Sequence, residues 1–302
     1  MEKSKMTGAK AITVSENDFP SLFVSADHAS VKARKTDIHW VQIQLGSLLV
    51  AAVASAFTII EKPVSIWITI FISIMLLLSI VATWASKMQN TKKNWQDWRT
   101  LAESAKRISW FYMMRANQFY NLNEAKADKV FLTEISKLKE QHPGITDELC
   151  LYQSSDILIS DTMRTVRNLS AQDRNNIYLE NRLNDQISWY SKKAKSNKMT
   201  GNRGQAMIMG AQALGIAGAI YIASNPESKF NPEGLFVNAA LIIISWMEYQ
   251  RYHQLSKLYT HTGDKLRNKV AQTGIISDDT QLSELVTELE SEMEKEQFYW
   301  IL

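Results

Sequence analysis

Four side chains in this sequence combine polarity with surroundings that resist it. Ser65, Thr69 and Ser73 fall at i, i+4 and i+8, and so share one face of any helix that holds them, while most of their neighbours are Ile, Trp, Phe, Leu and Met. Glu248 stands near the end of another apolar run. Such groups can line a polar path for ions. Alternatively, the hydroxyls bond back to the i−4 carbonyl, and the carboxylate sits at the water interface beside Tyr249 and Arg251. No catalytic constellation competes with these readings: there is no Gly-rich phosphate loop, no His-Glu-x-x-His pair and no nucleophile with a local base signature. We therefore expect neither an enzyme nor a cofactor. Five scattered histidines suit no metal site, and even His253 and His261 lie too far apart on one helix to share an ion without a third element.

The elements that must position these groups begin with Trp40 to Ile60 and Val64 to Ala85, two uncharged runs joined at Glu61-Lys62-Pro63. Each is about 20 residues, the length at which a helix crosses roughly 30 Å of hydrocarbon. Trp40, Trp67 and Trp84 fall at the segment ends, where an indole keeps its ring in the apolar layer and its N–H at the headgroups. Ser47, Ala51 and Ser55 recur every fourth residue on the first segment, a smooth face that another helix can approach closely. Two further apolar segments, 205–224 and 234–250, repeat the plan. The third carries Ala211, Gly215 and Ala219 at the same spacing; the fourth is bulky like the second. It is also shorter, with about 14 charge-free residues between Glu233 and Glu248, fewer than a full crossing needs.

The chain as a whole has 302 residues, and a net charge of +3 from 34 basic and 31 acidic side chains is too even for a nucleic-acid binder. One cysteine, Cys150, excludes an internal disulfide and suits a reducing cytosol. With 11 Gly and 5 Pro, long helices with few turns are expected. Lys32, Arg34 and Lys35 precede the first span and Lys87, Lys92 and Lys93 follow the second. Lys192, Lys193, Lys195, Lys198 and Arg203 precede the third span, and Arg251 follows the fourth. By the positive-inside rule both termini face the cytoplasm. The expected fold is all-α: an integral membrane protein with four membrane helices in two hairpins, whose long helices extend into a cytoplasmic bundle. The expected organisation is a disordered stretch over 1–19, a two-span unit over 20–144, a linker over 145–155 and a second two-span unit over 156–273. An acidic amphipathic helix with an apolar tail closes the order over 274–302, its stripe formed by Leu282, Leu285, Val286 and Leu289. The tail is expected to dock on the bundle or the membrane surface. Past Ala85 the pattern predicts one helix running unbroken as far as Asn121.

Polar motifs flank both hairpins. Ser25-Ala26-Asp27 stands ahead of the first, and Trp95-x-x-Trp98-Arg99-x-x-Ala102-Glu103-x-x-Lys106 behind it. Tyr178-x-x-x-Arg182-x-x-Asp185-Gln186-x-x-Trp189-Tyr190 precedes the second, and Tyr259-x-x-Thr262 follows it. These stretches resemble the SLATT domains, two-helix membrane effectors that accompany nucleotide-sensing or nucleotide-making partners in bacterial defence systems. The likeness covers most of residues 20 to 273 and implies membrane disruption at the bacterial inner membrane. It also implies a nucleotide second messenger, or its sensor or cyclase, as partner, and leaves the trigger unspecified. Taken by themselves, Arg99, Glu103 and Lys106 at i, i+4 and i+7 form an ion-paired helix face or a ligand contact, and so do Arg182 and Asp185. The Trp95, Trp98, Tyr112 stripe is a bundle seam or a stacking platform. Four helices from one chain enclose almost no lumen, so conduction requires a homo-oligomer in the lipid bilayer. A non-conducting scaffold or signalling adaptor fits the same hydropathy.

Overall fold

A computed structural model describes residues 12–57, 64–142, 158–272, 276 and 278–301. The linker over 145–155 with Cys150, the Glu61-Lys62-Pro63 joint, the side chain of Ser65 and those of the apolar tail lie outside the described residues. Among the described residues every regular element is helical. The order is α1 (Ser21–Ser55), α2 (Val64–Met88), α3 (Thr91–Met114), α4 (Glu124–Gln141), α5 (Asp161–Arg167) and α6 (Ala171–Tyr178). It continues with α7 (Asn184–Ser224), α8 (Pro232–Gln250), α9 (Tyr252–Gln272) and α10 (Asp279–Ile301). A π turn, Leu179–Leu183, joins α6 to α7 without a break and re-phases the buried face between them. Side chains cap where caps are needed: Asn123 accepts from Lys126 N–H at α4, and Ser160 and Ser170 do the same at α5 and α6.

Two expectations require correction. The helix predicted to run from Val64 to Asn121 is broken at Asn90, whose φ of 47° is left-handed and ends α2. Residues 12–19, expected to be disordered, carry a single 3-10 turn at Glu16–Asp18 with a capping box from Ser15, and Phe19 is buried. The apolar character of Phe19 and Pro20 was the sign that order begins before Ser21.

Two compact units make up the chain. A bundle unit takes Met1–Lys32, Asn94–Ser191 and His261–Leu302, and a hairpin unit takes Ala33–Lys93 and Lys192–Thr260. Each draws on both halves of the sequence, because α1 and α7 are long enough to serve both.

The hairpin unit inverts the pattern of a water-soluble core. Within its apolar spans the buried residues are small: Ser47, Ala51, Ala52, Ala56, Ser79, Ala82, Ala211 and Ala240. Its exposed residues are large and apolar, among them Trp67, Leu77, Ile80, Trp84, Ile216 and Ile220. Lipid solvates large apolar side chains, so helix association there rests on close backbone approach, which small residues permit. Among the described residues three helical stretches are long and apolar enough to cross a membrane: Ser21–Ser55, Ile66–Phe119 and Ala171–Ser224. The fourth expected span forms as the 19-residue α8, which is not among those three.

On α7 the inward positions are Gly201, Gly204, Ala211, Gly215 and Gly218, spaced at close to two per seven residues. A Cβ at Gly218 would stand 2.6 Å from the backbone nitrogen of Glu233, whereas one at Gly210 would meet nothing within 4 Å. The two glycines therefore form a matched pair. Gly218→Ala should force α7 and α8 apart and lower stability in detergent by about 1–3 kcal/mol, the usual cost of overpacking. Gly210→Ala should leave it unchanged or raise it by roughly 0.5–1 kcal/mol through helix propensity. Thermal unfolding followed by tryptophan fluorescence measures both, and equal behaviour of the two variants would contradict this packing.

Candidate functional site

The helices of the bundle unit converge on one buried carboxylate. Glu290 of α10 accepts from Arg182 Nε and Tyr178 Oη on one oxygen and from Arg182 Nη2 on the other, each at 3.0 Å, with all three side chains buried. Burial disfavours the charged form of Arg182, but the adjacent Glu290 outweighs it and holds the guanidinium above its ordinary value. Burial, reinforced by the charge of Glu290, pushes the Tyr178 phenol well up, so it remains a donor. Six residues further along α10, Glu296 accepts from the buried Tyr190 Oη at 3.1 Å, and burial again raises that phenol.

A second group of side chains comes from α1 and α3. Arg99 reaches Asp27 of α1 at 2.9 Å and Glu103 at 2.5 Å. Burial would raise the Glu103 carboxyl, but Arg99, then Arg182 and Lys106, hold it below the usual carboxylate range. The Lys106 ammonium stands 5.5 Å from the Phe19 ring centre and 5.2 Å from that of Phe23, and burial with the nearby Arg182 charge lowers its pKa. Phe19 packs on Trp110, and Trp110 makes an edge contact with Tyr178 at 5.5 Å. A continuous chain of contacts thus runs from Lys106 through the aromatics to Glu290.

Most of the motif residues singled out from sequence meet here. Trp98, Glu103, Lys106, Tyr178, Arg182 and Tyr190 point inward or sit half-buried, while Asp185 is exposed and Trp189 is 37% exposed. Trp98, Ala102, Ile108 and Tyr112 are buried, which makes their stripe a packing seam. The polar row lies elsewhere: Thr69 and Ser73 are exposed on α2, and Ser73 Oγ donates to the Thr69 carbonyl at 2.9 Å. Glu248 is exposed on α8, Ser55 is exposed on α1 and Ala219 is half-buried on α7.

Several important residues escaped the sequence reading. Glu290 and Glu296 were not singled out within the acidic helix, although Glu290 follows Val286 by four and so continues its apolar stripe. Arg167 and Arg174, both buried, close the C-terminal end of α3: Arg167 donates to the Tyr112 and Leu122 carbonyls at 2.6 and 2.9 Å, and Arg174 to Met114 at 2.7 Å. A helix C-terminus leaves carbonyls without partners and carries partial negative charge, so guanidinium groups are its natural cap. Arg174 also pairs with Asp279, Arg107 with Glu294 and Lys269 with Glu288, which ties α10 along its length.

With both oxygens of Glu290 occupied by three donors, the cluster is built to hold helices rather than to move protons. Breaking a buried pair costs about 3–5 kcal/mol, whereas replacing both partners by apolar groups is often neutral. Arg182→Met alone should therefore lower bundle stability by that amount, and Arg182→Met with Glu290→Leu should recover most of it. Unfolding midpoints of the purified full chain test this, and simple additivity of the two substitutions would contradict the pairing.

Residues 20–175 match the family model described as SMODS and SLOG-associating 2TM effector domain 3, and residues 178–300 match SMODS and SLOG-associating 2TM effector domain 1. No curated protein and no solved structure matches the chain. The cluster is assembled from both matched regions, with Asp27, Arg99, Glu103 and Lys106 from the first and Tyr178, Arg182, Tyr190, Glu290 and Glu296 from the second. The chain belongs to the SLATT family and carries two of its two-transmembrane effector domains in tandem.

Proposed function

We propose that the protein is a membrane effector of a bacterial antiviral defence system that assembles in several copies and permeabilises or depolarises the inner membrane, its termini in the cytoplasm. The observation that carries this reading is the outer surface of the hairpin unit. Small residues close its helices on one another, while α2 presents a large apolar surface interrupted by exposed Thr69 and Ser73. One chain offers no lumen between such closely packed helices. Several copies around an axis place the hydroxyl row of Ser65, Thr69 and Ser73 on the inside, with Glu248 as the ionisable group nearest the cytoplasmic end. The family's link to SMODS and SLOG makes a nucleotide second messenger, or the protein that makes or senses it, the natural trigger.

A second reading has an observation of its own. Ser73 already satisfies its hydroxyl on the Thr69 carbonyl, so the row costs little in lipid without any pore, as befits a scaffold or signalling adaptor. The two readings separate in cells that overexpress the protein while a voltage-sensitive dye reports membrane potential. Wild type should depolarise the cells, and Thr69→Leu and Glu248→Gln should each reduce the effect several-fold at unchanged membrane insertion, since Leu closes a polar path by dewetting. Full depolarisation by both variants would remove these residues from the mechanism. A polarised membrane with inserted wild type would favour the scaffold.

A further inference from the structure

The second helix of each hairpin breaks without Gly or Pro. Neither Met88-Gln89-Asn90-Thr91-Lys92 nor Tyr249-Gln250-Arg251-Tyr252 contains Gly or Pro. Yet Asn90 ends α2 with φ of 47°, and Arg251 ends α8 with φ of 51° and ψ of 35°. Left-handed conformations are disfavoured for residues with a Cβ, and they persist where the surroundings over-determine them. Asn tolerates this conformation without requiring it, and local propensity at Arg251 favours continued helix.

One buried side chain of the hairpin unit touches both breaks. Asp37 on α1 is 2% exposed. Its Oδ1 accepts from the hydroxyl of Thr91, the residue after Asn90, at 2.8 Å. Its Oδ2 accepts from the phenol of Tyr249, two residues before Arg251, at 2.5 Å. Arg34, one turn earlier on α1, stands 3.5 Å from the same Oδ2 and donates to Gln250 at 3.3 Å. Nearby, Trp40 Nε1 donates to Gln89, the residue before Asn90, at 3.3 Å. Thus α1 grips the two breaks from one side, and the carboxylate of Asp37 is common to both.

We propose that Asp37 is a clasp that holds both breaks bent in the resting protein. Its release lets α2 and α3, and α8 and α9, each straighten into a continuous helix. The inference rests on the permeabilising function for its purpose, since straightening is the step that turns closed hairpins into ones able to assemble. It rests on geometry alone for its mechanism. A carboxylate is suited to the task because it accepts from two donors at once, and a neutral side chain of the same size keeps at most one equivalent acceptor oxygen.

Spin-label distances test the clasp in the full chain, purified with Cys150→Ser and reconstituted into phosphatidylethanolamine–phosphatidylglycerol vesicles. Labels at exposed positions 80 and 93 report the first break, and labels at 241 and 254 report the second. Thirteen residues of continuous helix span about 20 Å, and a bend brings the labels closer. Wild type should give shorter distances than this across both breaks. Asp37→Leu should shift both towards the continuous value, Thr91→Val only the first and Tyr249→Phe only the second. The same vesicles, with a potassium diffusion potential and a dye, should lose potential several-fold faster with Asp37→Leu. Unchanged distances in Asp37→Leu would overturn the clasp; should that variant fail to insert, unchanged distances in both Thr91→Val and Tyr249→Phe would do so. Distances that lengthen while the potential holds would uphold the clasp and contradict the permeabilising function instead.

Discussion

A guanidinium taken out of water has to be met by charge and by acceptors, and Arg182 imposes that condition on the bundle. Removing such an ion from water costs several kcal/mol even after relaxation, roughly offset when the partner is ideally placed. Glu290 meets it with both oxygens at Nε and Nη2, Tyr178 donates to the same carboxylate, and Arg182 Nη1 is buried without a hydrogen-bond partner among the described residues. Because Glu290 lies far along the chain, the requirement sets the register of α10. A slip of one turn, about 5.4 Å, would bring Val286 or Glu294 opposite Arg182. It would also lift Leu282, Leu289 and Met293 from the positions where they are buried. Charge pairing and apolar packing therefore specify the same seat for the helix, and the Arg107–Glu294 pair and the Trp110–Tyr178 edge contact tie the helix and its partner Tyr178 to α3 of the first domain.

The hairpin unit answers a different solvent. In the bundle, Leu101, Trp110, Phe119 and Phe131 are inside; in the hairpins, Ile66, Trp67, Ile80 and Ile216 are outside and Ala51, Ala211 and Gly218 are inside. One chain thus obeys both rules, large apolar residues in water's interior and large apolar residues against lipid. The long helices α1 and α7 carry the change along their own length.

Much of this was legible in the amino-acid order. Charge-free runs of membrane length and a Trp98-to-Tyr112 seam depend on local periodicity, which sequence displays directly; of the small residues at spacing four, Ser47, Ala51, Ala211 and Gly215 are buried while Ser55 is exposed and Ala219 half-buried. The breaks at Asn90 and Arg251 were not legible, because neither has Gly or Pro and the contacts that hold them come from Asp37 on another helix. Glu290 was hidden for a related reason. An acidic residue on an acidic helix reads as solvated until its partner, Arg182, more than a hundred positions away, is found beside it. Sequence reveals what a segment prefers; it conceals where a distant charge overrules that preference.

The proposed function requires that several copies together make a passage that one copy cannot. Planar-bilayer recording of the purified full chain, across a range of protein densities, tests it most directly. Discrete conductance steps whose frequency rises more steeply than in proportion to density are the predicted result. Inserted protein that passes no current at any density, or current strictly proportional to density, would contradict it.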